Sequence, residues 1–109
     1  MLANRSKIET FIGFSIRARA LVCGSNAIAT KKRAYLIILC SSASDNTKKL
    51  AQKYCHRFGC DLMVTKKPLE DICYKQNCKL AALTDKNLAK AMLDNQDENF
   101  SVYSGGNGL

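Results

Sequence analysis

The segment "YLIILCSSASDNTKKLAQKYC", residues 35–55, contains the clearest structural pattern in the chain. Its first six residues form a continuous apolar run, whose length and bulk are typical of a central strand buried on both faces. Ser44 is suited to cap a helix over residues 45–58, with Asp45 near the positive end of the helix dipole. Gly59 follows at a position that glycine favours after a helix. A buried strand followed by a helix indicates an α/β fold.

The same alternation extends in both directions from this segment. Apolar residues at helical spacing, capping residues and short apolar runs define the other elements. We predict further helices over 6–19, 24–33, 68–75 and from residue 85 onward, and further strands over 20–23, 61–64 and 79–83. Alternating elements favour a sandwich with helices on both faces of a four-stranded mixed sheet. We expect residues 1–95 to form a single domain. Residues 96–109 are polar and then Gly-rich, which predicts a flexible tail.

The charge balance favours a polyanionic partner. Seventeen Lys and Arg residues oppose nine Asp and Glu residues, so the formal net charge of the 109-residue chain is +8. Such a chain suits nucleic acid or an anionic membrane surface, although a domain that is merely basic is the alternative. Arg5, Lys7 and Glu9 interrupt any signal-peptide core, and the apolar run 34–40 is too short to span a bilayer. We therefore expect a cytoplasmic protein that does not use a membrane.

Six cysteines, at positions 23, 40, 55, 60, 73 and 78, require an explanation. Without a secretory signal we do not expect a disulfide framework. Cys55 and Cys60 are separated by four residues and His56 is adjacent, so a zinc or redox protein is one alternative. The preferred interpretation is that the cysteines act as small buried hydrophobes. We accordingly predict neither a metal site nor a cofactor.

The chain carries few residues suited to catalysis. His56 has no nucleophile or orienting carboxylate at a recognisable spacing, and no Walker loop or GxGxxG motif is present. Glu70 and Asp71 are adjacent carboxylates, but neighbouring helix positions point in different directions and such acids are typical of a first turn. The sequence therefore predicts a protein that is not an enzyme.

A small polar turn and several cations are better candidates for function. Gly24, Ser25 and Asn26 stand at a predicted helix N-terminus, where backbone N–H groups can bind an anion. Lys31 and Lys32 follow that helix, and a second cationic pair occurs at residues 66–67. An ordinary helix cap and solvated lysines are the alternative. Convergence of these residues at one edge of the sheet would favour RNA binding.

Three stretches resemble the L-seven-Ae and L-thirty-e ribosomal-protein family, whose members bind kink-turn RNA. "FIGFSIRARALVCGSN", residues 11–26, is similar to the first helix, strand and Gly turn of bacterial members. "KKRAYLIILCSSASDNTKKLAQKYC", residues 31–55, resembles the next basic residue, apolar strand and Ala-Ser-x-Asn-Thr-Lys-Lys helix start. "KLAALTDKNLAKAM", residues 79–92, is similar to the last strand and capped helix. The resemblance covers about residues 5–94.

The resemblance implies a three-layer α/β/α sandwich that binds RNA, in a ribosomal context. The implied RNA contacts are the turn, the helix that follows it and the loop before the fourth helix. On this chain they are Gly24, Ser25, Asn26, Lys31, Lys32, Val64, Thr65, Lys66 and Lys67. Asn26 would contact base edges, Gly24 would permit close backbone approach, and the lysines would contact phosphates.

The chain departs from the family pattern at several positions. Ala27 replaces a frequent Glu after the turn, and Thr30 replaces a Lys one turn later. Ser41 and Ser42 replace an acidic pair after the central strand, and Glu70 replaces a Gly. Loss of a directional contact to a base typically costs about 1–3 kcal/mol of discrimination. The alternative function is therefore a protein-interaction module on the same fold with a partly eroded RNA-binding edge.

Overall fold

The structure, a computed structural model, describes residues 7–73 and 78–103. Its helices are α1 (Lys7–Arg17), α2 (Ser25–Ala29), α3 (Asp45–Phe58), α4 (Leu69–Cys73) and α5 (Lys86–Asp94). Its strands are β1 (Leu21–Cys23), β2 (Leu36–Cys40), β3 (Asp61–Thr65), β4 (Leu80–Leu83) and β5 (Phe100–Val102). Helices and strands alternate along the chain, which confirms the predicted α/β class.

The ends of α3 and the start of α5 follow from local side-chain chemistry. The Ser44 hydroxyl accepts a hydrogen bond from the Thr47 N–H at 3.3 Å, as expected of an N-cap. Gly59 ends α3 in the left-handed conformation, with φ 63°. The Asp85 carboxylate caps α5 by accepting from the Leu88 N–H at 2.9 Å. These caps confirm the predicted bounds of α3.

The five strands form one mixed sheet in the order β1-β4-β2-β3-β5. β2 and β3 are parallel, whereas the other three neighbouring pairs are antiparallel. All five residues of β2 are buried, as its continuous apolar run predicts. β2 therefore lies in the centre of the sheet and organises the core.

Side chains of β2 alternate between two hydrophobic clusters, because successive strand residues point to opposite faces. Leu36, Ile38 and Cys40 join one cluster, with Ile8 and Ile12 of α1, Leu69 of α4 and Met92 of α5. Ile37 and Leu39 join the other, with Ile28 of α2 and Ala51 and Tyr54 of α3. Full burial of a Leu or Ile side chain stabilises a fold by about 1.5–3 kcal/mol. The helices thus cover both faces.

The prediction of four strands was wrong, because the structure contains a fifth. β5 lies in the segment after Gln96, for which the sequence predicted no regular structure, and pairs antiparallel with β3. Phe100 is fully buried. Asp97 forms the preceding turn by accepting N–H groups of Asn99 and Phe100 at 2.8 and 3.0 Å. A three-residue strand with one buried aromatic carries too little periodicity to be recognised. Of the predicted tail, residues 104–109 lie outside the described part of the chain.

Three predicted helices differ in their bounds from the structure. α1 ends at Arg17 instead of residue 19. α2 ends at Ala29 instead of residue 33, and the Thr30 hydroxyl donates to the Ala27 carbonyl at 2.8 Å. Such a bond competes with helix continuation. α4 is described as far as Cys73, and the rest of its predicted range lies outside the described residues. None of the described helices is long and apolar enough to cross a membrane.

The topology gives the sheet two distinct ends. At one end lie the last residues of β1, β2 and β3 and the first residues of β4 and β5. We call it the Gly24 end; it carries Gly24, Ser41, Lys66 and Lys79. At the opposite end β2 and β3 begin. We call it the Lys32 end, formed by residues 31–35 and 57–61.

Candidate nucleic-acid interface

Gly24 connects β1 to α2 in a conformation that L side chains rarely adopt. Its φ is 90° and its ψ is 147°. Its N–H donates to the Leu80 carbonyl at 2.9 Å, and its carbonyl accepts from the Ile28 N–H at 3.1 Å. A Cβ built on Gly24 would meet no protein atom within 4 Å. The glycine is therefore required by backbone conformation, and the space beside it is open to an approaching ligand.

Buried groups of α3 hold this turn in place. Tyr54 is 8% exposed, and its hydroxyl donates to the Ser25 carbonyl at 3.0 Å. Ile28, in the middle of α2, is fully buried in the same cluster as Tyr54. Asn26 and Ala27 are exposed. The turn is thus anchored from behind, while the Asn26 side chain remains accessible.

α2 is too short for its dipole to attract an anion strongly. It contains five residues instead of the predicted ten. Few peptide units then add their dipoles at its N-terminus. Any anion at this turn must therefore be held by hydrogen-bonding groups and by nearby lysines.

A groove opens beside the turn. Its volume is about 480 Å³, and it is lined by Cys23, Gly24, Ser25, Asn26, Ala27, Thr47, Leu50, Lys79 and Leu80. Asn26, Thr47 and Lys79 supply amide, hydroxyl and ammonium groups, and Leu50 supplies an apolar wall. This combination can hydrogen-bond a polar edge and contact a flat ring.

Part of the positive charge at the Gly24 end is already paired. The Lys79 ammonium lies 3.3 Å from Glu70 Oε1 and 3.2 Å from the Ser42 hydroxyl. The Lys67 ammonium lies 2.8 Å from Glu9 Oε2, and this hydrogen bond raises the pKa of Lys67. Both lysines therefore offer less uncompensated charge to a phosphate than a solvated lysine would.

The predicted loop 64–67 lies at the Gly24 end but not beside the turn. β1 and β3 are three strand spacings apart, a separation of about 14 Å. Thr65 is fully buried, and its hydroxyl oxygen accepts from the Lys67 N–H at 3.1 Å. Val64 is half-buried in the core. Lys66 is the exposed member of this group. Thr65 therefore shapes the loop and does not present its side chain to solvent.

Lys31 and Lys32 lie toward the Lys32 end, away from the turn. Arg57 of α3 donates to the Ala29 carbonyl at 3.2 Å and to the Lys31 carbonyl at 3.1 Å. A second groove of about 510 Å³ is lined there by Lys32, Arg33, Ala34, Tyr35, Arg57, Phe58, Gly59, Cys60 and Asp61. The structure thus separates the predicted site residues into two groups at opposite ends of the sheet, so they do not converge at one edge.

Cations on α3 lie between these groups, and none of the three was a predicted site residue. Lys49, Lys53 and Arg57 are all exposed and recur at every fourth position, so they share one side of the helix. We call these three residues the α3 stripe. It extends over about 12 Å. Their spacing within a predicted helix was the signal that could have identified them.

The segment that contains α2 and α3 has a net positive charge because it carries few carboxylates. Residues 24–61 contain seven Lys or Arg residues and two acidic residues, Asp45 and Asp61. The other seven carboxylates belong to α1, α4, α5 with its cap, and the segment before β5. They are Glu9, Glu70, Asp71, Asp85, Asp94, Asp97 and Glu98. Carboxylates are therefore concentrated outside residues 24–61, whereas Lys and Arg residues occur throughout the chain.

The described cysteines and carboxylates do not assemble into a recognisable metal centre. Within residues 7–73 and 78–103, no group of three or more His, Cys, Asp or Glu side chains is placed to hold a metal ion. Cys23, Cys40, Cys55, Cys60 and Cys78 are thiols, and Cys40 and Cys78 are buried. The packing of these two agrees with the interpretation of cysteine as a small hydrophobe.

Comparison with known proteins supports the fold. The sequence matches no protein-family model and no curated protein. Its structure is similar to that of a protein of unknown function from Bacillus halodurans, with a TM-score of 0.67 and 23% sequence identity. The match covers 79% of this chain and 92% of the other. At this identity the likeness shows a shared fold alone.

Proposed function

We propose that the protein is a non-catalytic RNA-binding protein that recognises a kink-turn or similar internal loop in ribosomal or other structured RNA. The resemblance of the sequence to the L-seven-Ae family implies this function together with a three-layer α/β/α domain. The observation that carries the proposal is the Gly24 turn. It combines a fixed backbone, an open groove and an exposed amide within a segment of net positive charge.

Asn26 has the role of contacting base edges in this proposal. Its amide can donate and accept at once, which suits the polar edge of a base. The bases of an internal loop are accessible in a way that those of a regular RNA helix are not. Gly24 leaves the space beside the backbone open, so that RNA can approach closely. We therefore assign recognition of the RNA internal loop to the Gly24 end.

The α3 stripe and the lysines after α2 have the role of binding phosphates. Lys31 and Lys32 are exposed near the C-terminal end of α3. Lys49 and Lys53 extend the positive surface along α3 toward the groove beside Gly24. Each phosphate neutralised by a cation adds about 0.7–0.9 to the slope of log affinity against log salt. These cations therefore supply affinity that depends on salt and does not depend on sequence.

In this proposal the loop 64–67 contributes to RNA binding mainly through Lys66. This side chain is exposed at the Gly24 end, whereas Lys67 is paired with Glu9 and Thr65 is buried. At about 14 Å from the turn, Lys66 can reach a phosphate on a second strand of a folded RNA. We assign Lys67 a weaker phosphate contact for the reason that its charge is partly compensated.

One feature favours a protein-interaction module as the second candidate. Phe14 is 45% exposed on α1, and the Arg17 guanidinium lies 5.5 Å from the centre of its ring. α1 packs on the face opposite to the α3 stripe. An exposed aromatic with an adjacent Arg is typical of contacts between proteins. Ala27, which replaces the family's Glu, is consistent with this candidate.

The test is a binding titration with a kink-turn RNA and a plain RNA duplex of equal length, at two salt concentrations. The proposal predicts tighter binding of the kink-turn, and a difference between the two RNAs that persists at the higher salt. Equal binding that weakens steeply with salt would leave only a charge effect. Absence of binding to both RNAs would favour the protein-interaction module.

A further inference from the structure

Two thiols meet where α3 ends. Cys55 lies in the last turn of the helix, and Cys60 follows the left-handed Gly59. The N–H groups of Gly59 and Cys60 both donate to the Cys55 carbonyl, the second at 3.1 Å. A bond of this kind at a helix C-terminus commonly brings the two side chains five positions apart into contact. Here both of those side chains are thiols.

Each of the two thiols shifts the pKa of the other. Donation from the Cys55 S–H lowers the pKa of Cys60, whereas the same bond raises the pKa of Cys55. Both residues are half-buried and pack against the same core cluster. Cys60 therefore has the more thiolate character of the two, and Cys55 keeps its proton nearby.

Cys60 is also accessible and lies near charged side chains of both signs. It lines the groove at the Lys32 end together with Lys32, Arg33, Arg57 and Asp61, and Asp61 opposes the lowering of the pKa of Cys60. Positive side chains near a thiolate favour its reaction with anionic reagents. Cys40, by contrast, is 1% exposed and is shielded from such reagents.

We propose that Cys55 and Cys60 are a reversible dithiol–disulfide pair that is oxidised by small anionic disulfides of the glutathione class. The Cys60 thiolate attacks one sulfur of the disulfide, forming a mixed disulfide and releasing one thiolate. The Cys55 thiol loses its proton to that thiolate and attacks the Cys60 sulfur. This step closes the Cys55–Cys60 bond and releases the second thiolate, which takes a proton from water. One disulfide is thereby reduced to two thiols, and two protein thiols become one disulfide.

The backbone is already arranged for this bond. A disulfide needs side chains that converge, with Cα atoms about 4.4–6.8 Å apart. The bond from the Cys60 N–H to the Cys55 carbonyl, at 3.1 Å, places the two residues at positions whose side chains commonly converge, and both pack against the same core cluster. The proposal goes beyond RNA binding and does not depend on it.

The test uses the whole protein in glutathione buffers of increasing oxidised fraction, followed by alkylation, trypsin and mass spectrometry. Trypsin cleaves after Lys53, Arg57 and Lys66, so the two cysteines fall in separate peptides, 54–57 and 58–66. We expect these peptides to become joined by one disulfide, which dithiothreitol reverses. Recovery of both peptides in alkylated, unjoined form from the most oxidised buffer would overturn the proposal.

Two variants identify the attacking sulfur. Cys55→Ser is expected to stop at a mixed disulfide with glutathione on Cys60. Cys60→Ser is expected to leave Cys55 largely unmodified, because the remaining thiol is the less acidic of the two. Preferential glutathione addition at Cys55, or joining of Cys60 to a different cysteine in the unaltered protein, would contradict the assignment.

Discussion

The Gly24 end and the Lys32 end of the sheet differ in the polar groups that they expose and in charge. At the Gly24 end, hydrogen bonds from Gly24 to Leu80 and from Tyr54 to Ser25 fix the backbone of the turn. The lysines there are partly compensated, since Lys79 pairs with Glu70. At the Lys32 end, residues 31–33 are exposed cations. None of these three makes an ion pair with any described carboxylate.

The difference separates two requirements of RNA recognition. Reading a base edge needs donors and acceptors held in a fixed geometry, whereas neutralising phosphates needs charge without strict orientation. The Gly24 end supplies the first and the Lys32 end, with the α3 stripe, supplies the second. Substitutions at the two ends should therefore change different quantities, specificity in one case and salt dependence in the other.

The largest expected effect on stability is at Gly24. Replacement by Asn forces a side chain into a backbone conformation that is essentially limited to glycine, which costs about 1–3 kcal/mol of unfolding free energy. Gly59→Asn is the matched control, because Asn tolerates the left-handed conformation with φ 63°. Urea unfolding of both variants measures the difference. Equal losses in the two variants would contradict the distinct requirement at Gly24.

A smaller effect is expected at Lys32 and concerns salt dependence. Lys32→Ala should weaken binding to a kink-turn and to a duplex equally, and should flatten the salt slope by about one unit. Lys90→Ala is the control, because Lys90 is exposed on α5, which packs on the other face. Salt titrations of both variants give the slopes. Identical slopes for the unaltered protein and Lys32→Ala would remove Lys32 from the interface.

The smallest effect is expected at Lys67. Glu9 raises the pKa of Lys67, so the ion pair persists through neutral pH and is lost as the pH rises through that raised pKa. Lys67→Ala should therefore change the salt slope of RNA binding by less than about half a unit. A salt titration of RNA binding by Lys67→Ala measures this slope. A change as large as that for Lys32→Ala would show that Glu9 does not compensate the charge.

The elements with strong periodicity or clear caps were predictable from sequence. α3 has the predicted bounds because Ser44 and Gly59 are typical capping residues. β2 was recognisable because burial on both faces requires a continuous apolar run. β5 was not, because pairing with β3 determines it and its own three residues carry no pattern. The end of α2 was also missed, since Thr30 and the return of the chain to β2 stop the helix early.

The candidate site was predictable in part. The exposed Asn26 and the glycine conformation of the turn agree with the sequence interpretation. The burial of Thr65 and the pairing of Lys67 with Glu9 depend on contacts between residues far apart in the chain, which no local pattern encodes. The four-residue spacing of the α3 stripe is visible in the sequence. Whether these cations contribute to a binding surface depends on which face of the sheet α3 covers.

The most direct test of this account is the ratio of kink-turn to duplex affinity for Asn26→Ala, measured beside Lys32→Ala at two salt concentrations. Asn26→Ala should lower the ratio by about 5- to 150-fold, corresponding to about 1–3 kcal/mol of discrimination, with the salt slope unchanged. Lys32→Ala should keep the ratio and flatten the slope. An unchanged ratio for Asn26→Ala would contradict the claim that the Gly24 end reads RNA structure.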